Sequence, residues 1–233
     1  MAGKLFGVGI GPGDPELLTL KAVRVIKEAA VIAVPGKVKE DTVAYQITVQ
    51  AVPEIADKQC LEIYYPMSKD PKVLERDHDE AAKKVAEALA QGKDVAFLTL
   101  GDSTLYSTYM YVHYRIMEMG YEAELISGIT SFCAVAARLN IGLVEKDEQL
   151  HVIPASYQIE EALRLPGTKV LMKAGRKMAE VKKQLTESGA DVVMIERCGM
   201  PGEAIYRSAE EIPEDAGYYS LIIVKDKKEV TYL

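Results

Sequence analysis

The chain has 233 residues, 48% of them hydrophobic and 27% charged, with a formal net charge of −7, so it can form one large domain or two modest ones. The acidic balance argues against a nucleic-acid partner, and no apolar run approaches the roughly 20 residues that cross a membrane. Three dispersed cysteines without a CxxC pair argue against a disulfide framework and a zinc site, and the N-terminus does not resemble a signal peptide, so we expect a cytoplasmic protein.

The first half of the chain alternates short apolar runs with amphipathic segments. Strands are predicted over residues 4–10, 30–34, 61–67, 94–102 and 122–128. Helices are predicted over residues 14–29, 42–52, 71–92 and 106–120. We expect Asp14 to cap the first helix and Pro15 to occupy its first turn. The alternation predicts a parallel sheet with helices on both faces.

The second half has a different pattern, with more strands than helices. Strands are predicted over residues 151–155, 169–175, 191–199, 203–208 and 218–226, and helices near 157–164 and 176–188. Strands in close succession favour a mixed or antiparallel sheet. The sequence therefore predicts two α/β domains, residues 1–128 with a mostly parallel sheet and residues 129–233 with a mixed sheet.

The loop GVGIGPGD, residues 7–14, has the glycine content of a phosphate-binding loop but not its pattern. Neither glycine frame completes G-x-G-x-x-G, because Pro12 and Asp14 occupy the sixth positions. Pro12 also removes a backbone donor, and the Asp14 carboxylate would repel a phosphate at the helix N-terminus. The glycines instead indicate close backbone approach, by another part of the protein or by a ligand without phosphate. A tight strand-to-helix turn remains the alternative.

Two further loops follow predicted strands, GDSTLYSTYM at 101–110 and ISGITSF at 126–132. In an open α/β sheet, ligands bind at the carboxyl ends of the strands. The three loops together therefore indicate a ligand site at one edge of the N-terminal sheet.

Several segments resemble the tetrapyrrole (corrin/porphyrin) methylase superfamily. They are GVGIGPGD with its LLTLKA helix, GDSTLYSTYM, SGITSFCAVAARLN, LMKAGR (171–176) and ERCGMPGEAIY (196–206), in the family's order from end to end of the chain. Members transfer a methyl group from S-adenosylmethionine and release S-adenosylhomocysteine. The resemblance implies that the active site lies in the cleft between the two domains.

The sequences of these segments are most similar to one branch of the family, the precorrin-2 or cobalt-factor II C-20 methyltransferases of cobalamin biosynthesis. Ser103 stands where most relatives have proline, and serine still allows the turn. Pro35 stands where the uroporphyrinogen methylases carry an aspartate, which argues against uroporphyrinogen as the substrate.

The resemblance also implies which residues form the site. The cofactor-binding positions are Pro12, Gly101, Asp102, Ser103, Tyr106, Thr130, Ser131, Met172 and Gly199. Asp102 and Tyr106 are the candidate catalytic residues, should a proton leave the methylated carbon. From the residues alone, Asp102 could instead or also cap the helix at 106–120, and Met172 could belong to the core.

The implied substrate is a flat macrocycle with eight carboxylates, which an acidic protein can bind only through local cations. The candidates, each also typical of a solvated surface, are Lys37, Lys39, Lys173, Arg176 and Arg197. The three histidines are dispersed, with His78 on a charged helix face, so we expect no metal site in the protein. Cobalt would arrive inside the substrate.

Several alternatives stay open. The substrate could be metal-free precorrin-2 or cobalt-factor II, with the family likeness favouring the cobalt form. The competing functions are another tetrapyrrole methylase of the corrin pathway, a ribose or diphthine methyltransferase, and a non-catalytic tetrapyrrole carrier. A nicotinamide oxidoreductase is disfavoured, because neither glycine frame completes the dinucleotide-binding pattern. The family is usually dimeric, so we expect a homodimer.

Overall fold

The computed structural model describes residues 1–65, 70–156 and 159–226. The chain divides into two compact units, Met1–Thr130 and Ser131–Leu233. No helix within the described residues is both long enough and apolar enough to cross a membrane.

The first unit is built on a parallel sheet, as predicted. Its strands are β1 (Leu5–Gly9), β2 (Val31–Val34), β3 (Gln59–Glu62), β4 (Val95–Thr99) and β5 (Ala123–Ile126). Their order across the sheet is β3-β2-β4-β1-β5, and each neighbouring pair is parallel. The strands are mostly apolar because both faces of the sheet are covered.

Helices cover the two faces of this sheet in pairs. They are α1 (Leu20–Glu28), α2 (Val43–Ala51), α3 (Pro71–Ala90) and α4 (Tyr109–Glu118). The apolar sides of α1 and α2 pack with Val8 and Leu98 on one face. Those of α3 and α4 pack with Leu5 and Phe97 on the other face.

The segment predicted as one helix over 14–29 consists of two pieces. Asp14 does act as a cap, but of a 3-10 turn at Pro15–Leu17, where its Oδ1 accepts from the Glu16 backbone N–H at 2.8 Å. Leu18 is extended, and the Thr19 hydroxyl then caps α1 by accepting from Ala22. Two capping residues five positions apart divide the segment, since each favours a new helix start.

The predicted helix over 106–120 also starts later than expected. Tyr106 has φ of +50°, a left-handed conformation that a right-handed helix cannot contain, and α4 begins at Tyr109. His78, predicted on a solvated face, is instead buried in α3 and stacks on Tyr111 with ring centroids 4.4 Å apart. The last two residues of the predicted strand 61–67 lie outside the described residues.

The second unit has the predicted mixed sheet. Its strands are β6 (Leu150–Pro154), β7 (Thr168–Met172), β8 (Asp191–Glu196), β9 (Ala204–Tyr206) and β10 (Ser220–Lys225). The order is β6-β7-β10-β8-β9; β6 and β7 run parallel, whereas the other neighbours are antiparallel.

Helices α5 (Ser131–Leu139), α6 (Glu160–Leu163) and α7 (Met178–Ser188) accompany this sheet. The buried side of α7 packs on one face with Leu171 and Ile222. Val135 of α5 packs on the other with Val170 and Ile223. The sequence did not predict α5, and residues 157 and 158 of the predicted helix 157–164 lie outside the described residues.

Candidate functional site

The topology of the first unit creates a crevice between β1 and β4. These strands are neighbours, but the chain leaves β1 toward α1 on one face and leaves β4 toward α4 on the opposite face. Such a switch point is where open α/β sheets bind ligands, outside the carboxyl ends of the strands. The loops that follow β1, β4 and β5 meet at this edge.

The glycines of the opening loop bring these loops together. Gly11 and Gly101 exchange backbone hydrogen bonds, at 3.2 Å from Gly11 N to Gly101 O and 2.8 Å from Gly101 N to Gly11 O. A Cβ on Gly128 would lie 2.1 Å from Gly101 O, and one on Gly9 would lie 2.6 Å from Gly128 N. The close approach expected from the sequence therefore has a partner within the protein. Pro12 is buried beside this bridge.

Asp102 fastens the second loop to the third. Its Oδ1 accepts from the Thr104 backbone at 2.8 Å and from the Thr104 hydroxyl at 2.5 Å, while its Oδ2 accepts from Gly128 N at 2.9 Å. Burial acts to raise the pKa of Asp102, but these hydrogen bonds outweigh it and hold the pKa below its usual value. The helix-cap interpretation of Asp102 is wrong, because at the start of α4 the Tyr109 N–H donates to Ser107.

Three buried hydroxyls at this edge have no hydrogen-bond partner within the described part of the chain: those of Thr99, Ser103 and Thr130. Leaving such a group unpaired costs about 1–3 kcal/mol, so an unpaired cluster indicates a polar ligand or water. Ser103 and Thr130 were expected from the sequence. Thr99 was not, although a polar residue ending the otherwise apolar strand β4 was a visible signal.

In the second unit, Met172 lies at the end of β7 and Gly199 lies in the loop after β8. The carboxyl ends of these strands share an edge of the sheet, because both are antiparallel to β10. Met172 ends β7 and packs partly buried against the hydrophobic cluster on that face. Gly199 follows β8, and its N–H donates to Glu203 Oε2 at 2.8 Å. The buried Ser131 hydroxyl at the start of α5 has no hydrogen-bond partner among the described residues.

Three predicted site residues have left-handed backbones: φ is +50° at Tyr106, +59° at Lys173 and +55° at Arg197. For residues other than glycine this conformation costs about 1–3 kcal/mol and is concentrated at functional sites. All three directly follow, or lie in the loop after, a sheet strand. Asn140 and Lys146, which are not predicted site residues, share this conformation, so it is compatible with the site assignment but not specific to it.

The predicted cations differ in how far they are free to meet a substrate. Lys37 and Arg176 are exposed, whereas burial lowers the pKa of Lys173. The Lys39 Nζ donates to the Ala56 carbonyl at 3.4 Å, within its own unit. The Arg197 Nε donates to the Pro201 carbonyl at 2.7 Å, which stabilises its own loop.

The sequence comparison decides the family. The sequence model of the family Tetrapyrrole (Corrin/Porphyrin) Methylases matches residues 4–213 of the chain. The chain belongs to this family. The predicted recognition is thereby confirmed.

Curated relatives match this tetrapyrrole methylase over nearly its whole length. A probable cobalt-precorrin-2 C(20)-methyltransferase of Methanocaldococcus jannaschii is 36% identical, over 95% of this chain and 96% of the relative. A precorrin-2 C(20)-methyltransferase of Sinorhizobium sp is 33% identical, over 97% of each. A cobalt-precorrin-2 C(20)-methyltransferase of Salmonella typhimurium is 32% identical, over 98% of this chain and 99% of the relative.

Solved structures agree with the methylase fold. A cobalt precorrin-4 methyltransferase superposes with a TM-score of 0.75 at 19% identity, covering 95% of this chain and 94% of that one. A uroporphyrin-III C-methyltransferase of Thermus thermophilus, complexed with S-adenosylhomocysteine, has a TM-score of 0.69 at 22% identity, covering 96% and 97%. At these identities the likeness establishes the fold.

Proposed function

We propose that this tetrapyrrole methylase transfers a methyl group from S-adenosylmethionine to C-20 of cobalt-factor II or precorrin-2 in cobalamin biosynthesis. The observation that carries the proposal is the set of relatives at 32–36% identity, each matched over at least 95% of this chain and each named a C(20)-methyltransferase of precorrin-2 or its cobalt form. We take the cobalt form as the preferred substrate, as the family likeness suggests.

The residues at the β1–β4 crevice fit this methyl donor. Its amino, carboxyl, ribose and adenine groups are polar, and the unpaired hydroxyls of Thr99, Ser103 and Thr130 offer both donors and acceptors. The Asp102 carboxylate stays ionised at neutral pH, since its pKa is lowered, and so favours a cationic ligand nearby. Pro12 and Asp14 make the same loop unsuited to phosphate.

When bound, S-adenosylmethionine supplies a methyl group activated by the positive sulfonium. The task of the chain is to hold both partners in line, and such alignment is worth roughly 7–11 kcal/mol. The Gly11–Gly101 bridge and the Asp102 hydrogen bonds fix the loops that would hold the donor. Because Asp102 is engaged by three donors, we assign it to positioning and retain Tyr106 as the candidate that contacts the reacting groups.

The test is a pair of parallel incubations, with precorrin-2 and with cobalt-factor II, each with S-adenosylmethionine carrying a ¹³C-methyl group. Mass spectrometry should show the addition of one methyl group, and NMR should place the label at C-20. A label at another carbon would indicate a different methylase of the corrin pathway. Binding of the macrocycle without methyl transfer would indicate a carrier and refute the enzyme.

We also propose that the enzyme is a cytoplasmic homodimer. This rests on the family resemblance, and sedimentation velocity of the purified chain tests the oligomeric state.

A further inference from the structure

Tyr64 is an aromatic side chain held at the surface between two buried neighbours. Ile63 is 1% exposed and its N–H donates to Val34 O at 2.9 Å, so the segment after β3 remains fixed to β2. Tyr65 packs against the core under α3 and α4. Tyr64 points the opposite way and is 48% exposed. The fixed backbone thus presents this ring to solvent in a defined place.

Lys37, in the turn after β2, lies over this ring. Its Nζ is 4.3 Å from the centroid of the Tyr64 ring, a cation–π contact that orders the exposed side chain. Across residues 1–65, 70–156 and 159–226, no carboxylate forms a salt bridge with Lys37. The ammonium is therefore ordered but keeps its charge available for an anion.

Lys39, two residues further on, provides the contrast. Its Nζ lies 3.8 Å from Glu40 Oε1 and 5.4 Å from the centroid of the Tyr45 ring. Together with the Ala56 carbonyl, these groups surround the charge. Of the two lysines in this turn, Lys37 is the one placed to meet a ligand.

The pair lies on the same sheet edge as the crevice. β2 is the neighbour of β4 on one side and of β3 on the other, so Tyr64 is two strand positions from the Gly101–Asp102 loop. Strands are spaced about 4.8 Å apart, so β3 and β4, with β2 between them, lie roughly 10 Å apart across the sheet. A broad, flat substrate that meets its methyl donor at the crevice extends over this distance.

We infer that Tyr64 and Lys37 form a subsite for the rim of the tetrapyrrole substrate. The Tyr64 ring packs against the macrocycle, and the Lys37 ammonium pairs with one of its peripheral carboxylates. The inference rests on the proposed function, and it assigns to Tyr64 a role that the sequence motifs do not indicate.

The experiment measures the Kd of the full-length chain for precorrin-2 and cobalt-factor II by absorbance titration, and the Kd for S-adenosylmethionine by calorimetry. Lys37→Gln should raise the macrocycle Kd about two- to fivefold. Tyr64→Leu should raise it about three- to tenfold, whereas Tyr64→Phe, which keeps the ring, should stay near wild type. The Kd for S-adenosylmethionine should not change in any of the three.

Lys84→Gln and Tyr114→Leu are the matched controls, since both remove an exposed residue of the same type on α3 or α4. Macrocycle Kd values unchanged in both Lys37→Gln and Tyr64→Leu would overturn the subsite. So would a wild-type chain that binds neither macrocycle. A wild type that binds but does not methylate would refute the proposed function alone, because the subsite is judged by binding.

Discussion

The carboxylate of Asp102 connects two loops, with Thr104 on one oxygen and Gly128 on the other. A carboxylate whose pKa is lowered in this way is a weak base. Asp102 therefore serves the site by holding the two loops in position and by supplying a negative charge. The loop that carries Ser103 then depends on Asp102 for its position. This role differs from proton transfer, and the two can be separated by experiment.

Asp102→Ala should weaken S-adenosylmethionine binding, because the Gly101–Asp102 loop loses its connection to Gly128. It should also lower the free energy of unfolding by about 1.5–3 kcal/mol, the range for hydrogen bonds to a charged group. Calorimetric titration and urea unfolding measure the two effects. Asp70→Ala is the control, since Asp70 likewise accepts a backbone N–H, from Lys72 at the start of α3. Unchanged donor affinity in Asp102→Ala would contradict the positioning role.

Gly128→Ala tests the close packing of the loops. The new Cβ would lie 2.1 Å from Gly101 O, which is backbone and cannot rotate away. We expect a loss of about 1–3 kcal/mol of unfolding free energy or more, together with weaker donor binding. In Gly142→Ala, the matched control, the nearest atom to the new Cβ is 3.9 Å away. Equal stability of the two variants in urea would show that the loops are not constrained.

For individual residues, the sequence could indicate which residue types lie near the candidate site, but not which hydrogen-bond partners each of them has. The motifs place Asp102 and Ser103 together in one loop. They cannot show that Asp102 reaches Gly128, 26 positions away, or that Lys39 is engaged by Ala56. These contacts depend on how the folded loops meet, and no local pattern encodes them.

Between α3 and α4, a set of aromatic and histidine side chains packs on one face of the sheet; His78, His113 and Tyr109 are buried, whereas Tyr111 is exposed. His78 stacks on Tyr111 and meets the edge of Tyr65, while His113 Nδ1 lies 3.0 Å from the Tyr109 hydroxyl. Burial lowers the pKa of both histidines. For His78, Arg115 acts in the same direction, while Asp77 and Asp79 oppose it. Both rings are therefore favoured as neutral groups.

The stability of the protein should fall as the pH drops below about 6.5. In the unfolded chain both histidines take up protons with that ordinary pKa, whereas the folded chain resists protonation until a lower pH. The unfolded state then binds more protons, so the free energy of unfolding decreases, by at most about 1.4 kcal/mol per pH unit for each histidine. Urea unfolding at pH 7.5, 6.5 and 5.5 measures this slope.

Replacing His78 and His113 by glutamine should flatten the slope, because the two groups with lowered pKa are then gone. Carboxylates with lowered pKa, such as Glu124 at about 2, lose their contribution at more acidic pH and do not interfere in this window. A slope that is the same in the double variant and in wild type would contradict the assignment.

The period of the hydrophobic residues predicted whether most segments are helices or strands, but it did not predict several of the residues at which they begin and end. Thr19 is a capping residue inside an otherwise continuous amphipathic pattern, and the break at Leu18 is visible only once its extended backbone is known. The stretch that forms α5 is short and apolar, and such a run is compatible with helix or strand until its packing is known. In the folded chain it is a helix whose Val135 packs against Val170 and Ile223.

For the whole molecule, the net charge of −7 acts against the binding of a substrate that carries carboxylates. The general field of the protein repels such a substrate, whereas a cation at the proposed subsite, Lys37, would attract it. Salt acts on both effects, because the Debye length falls from about 10 Å at 0.1 M to about 3 Å at 1 M. Screening the repulsion would strengthen binding, and screening a contact pair would weaken it.

Since unpaired charges on an acidic surface are already screened beyond about 10 Å, we expect the contact pairs to dominate. The KM for the macrocycle should therefore rise between 50 and 500 mM NaCl, and the rise should be smaller in Lys37→Gln because one pair is missing. Lys84→Gln, which removes an equal charge on α3, should keep the wild-type salt dependence. Initial rates at fixed saturating S-adenosylmethionine measure this. A KM that falls with salt would show that the net charge controls binding and that the cations near the site are ordinary surface groups.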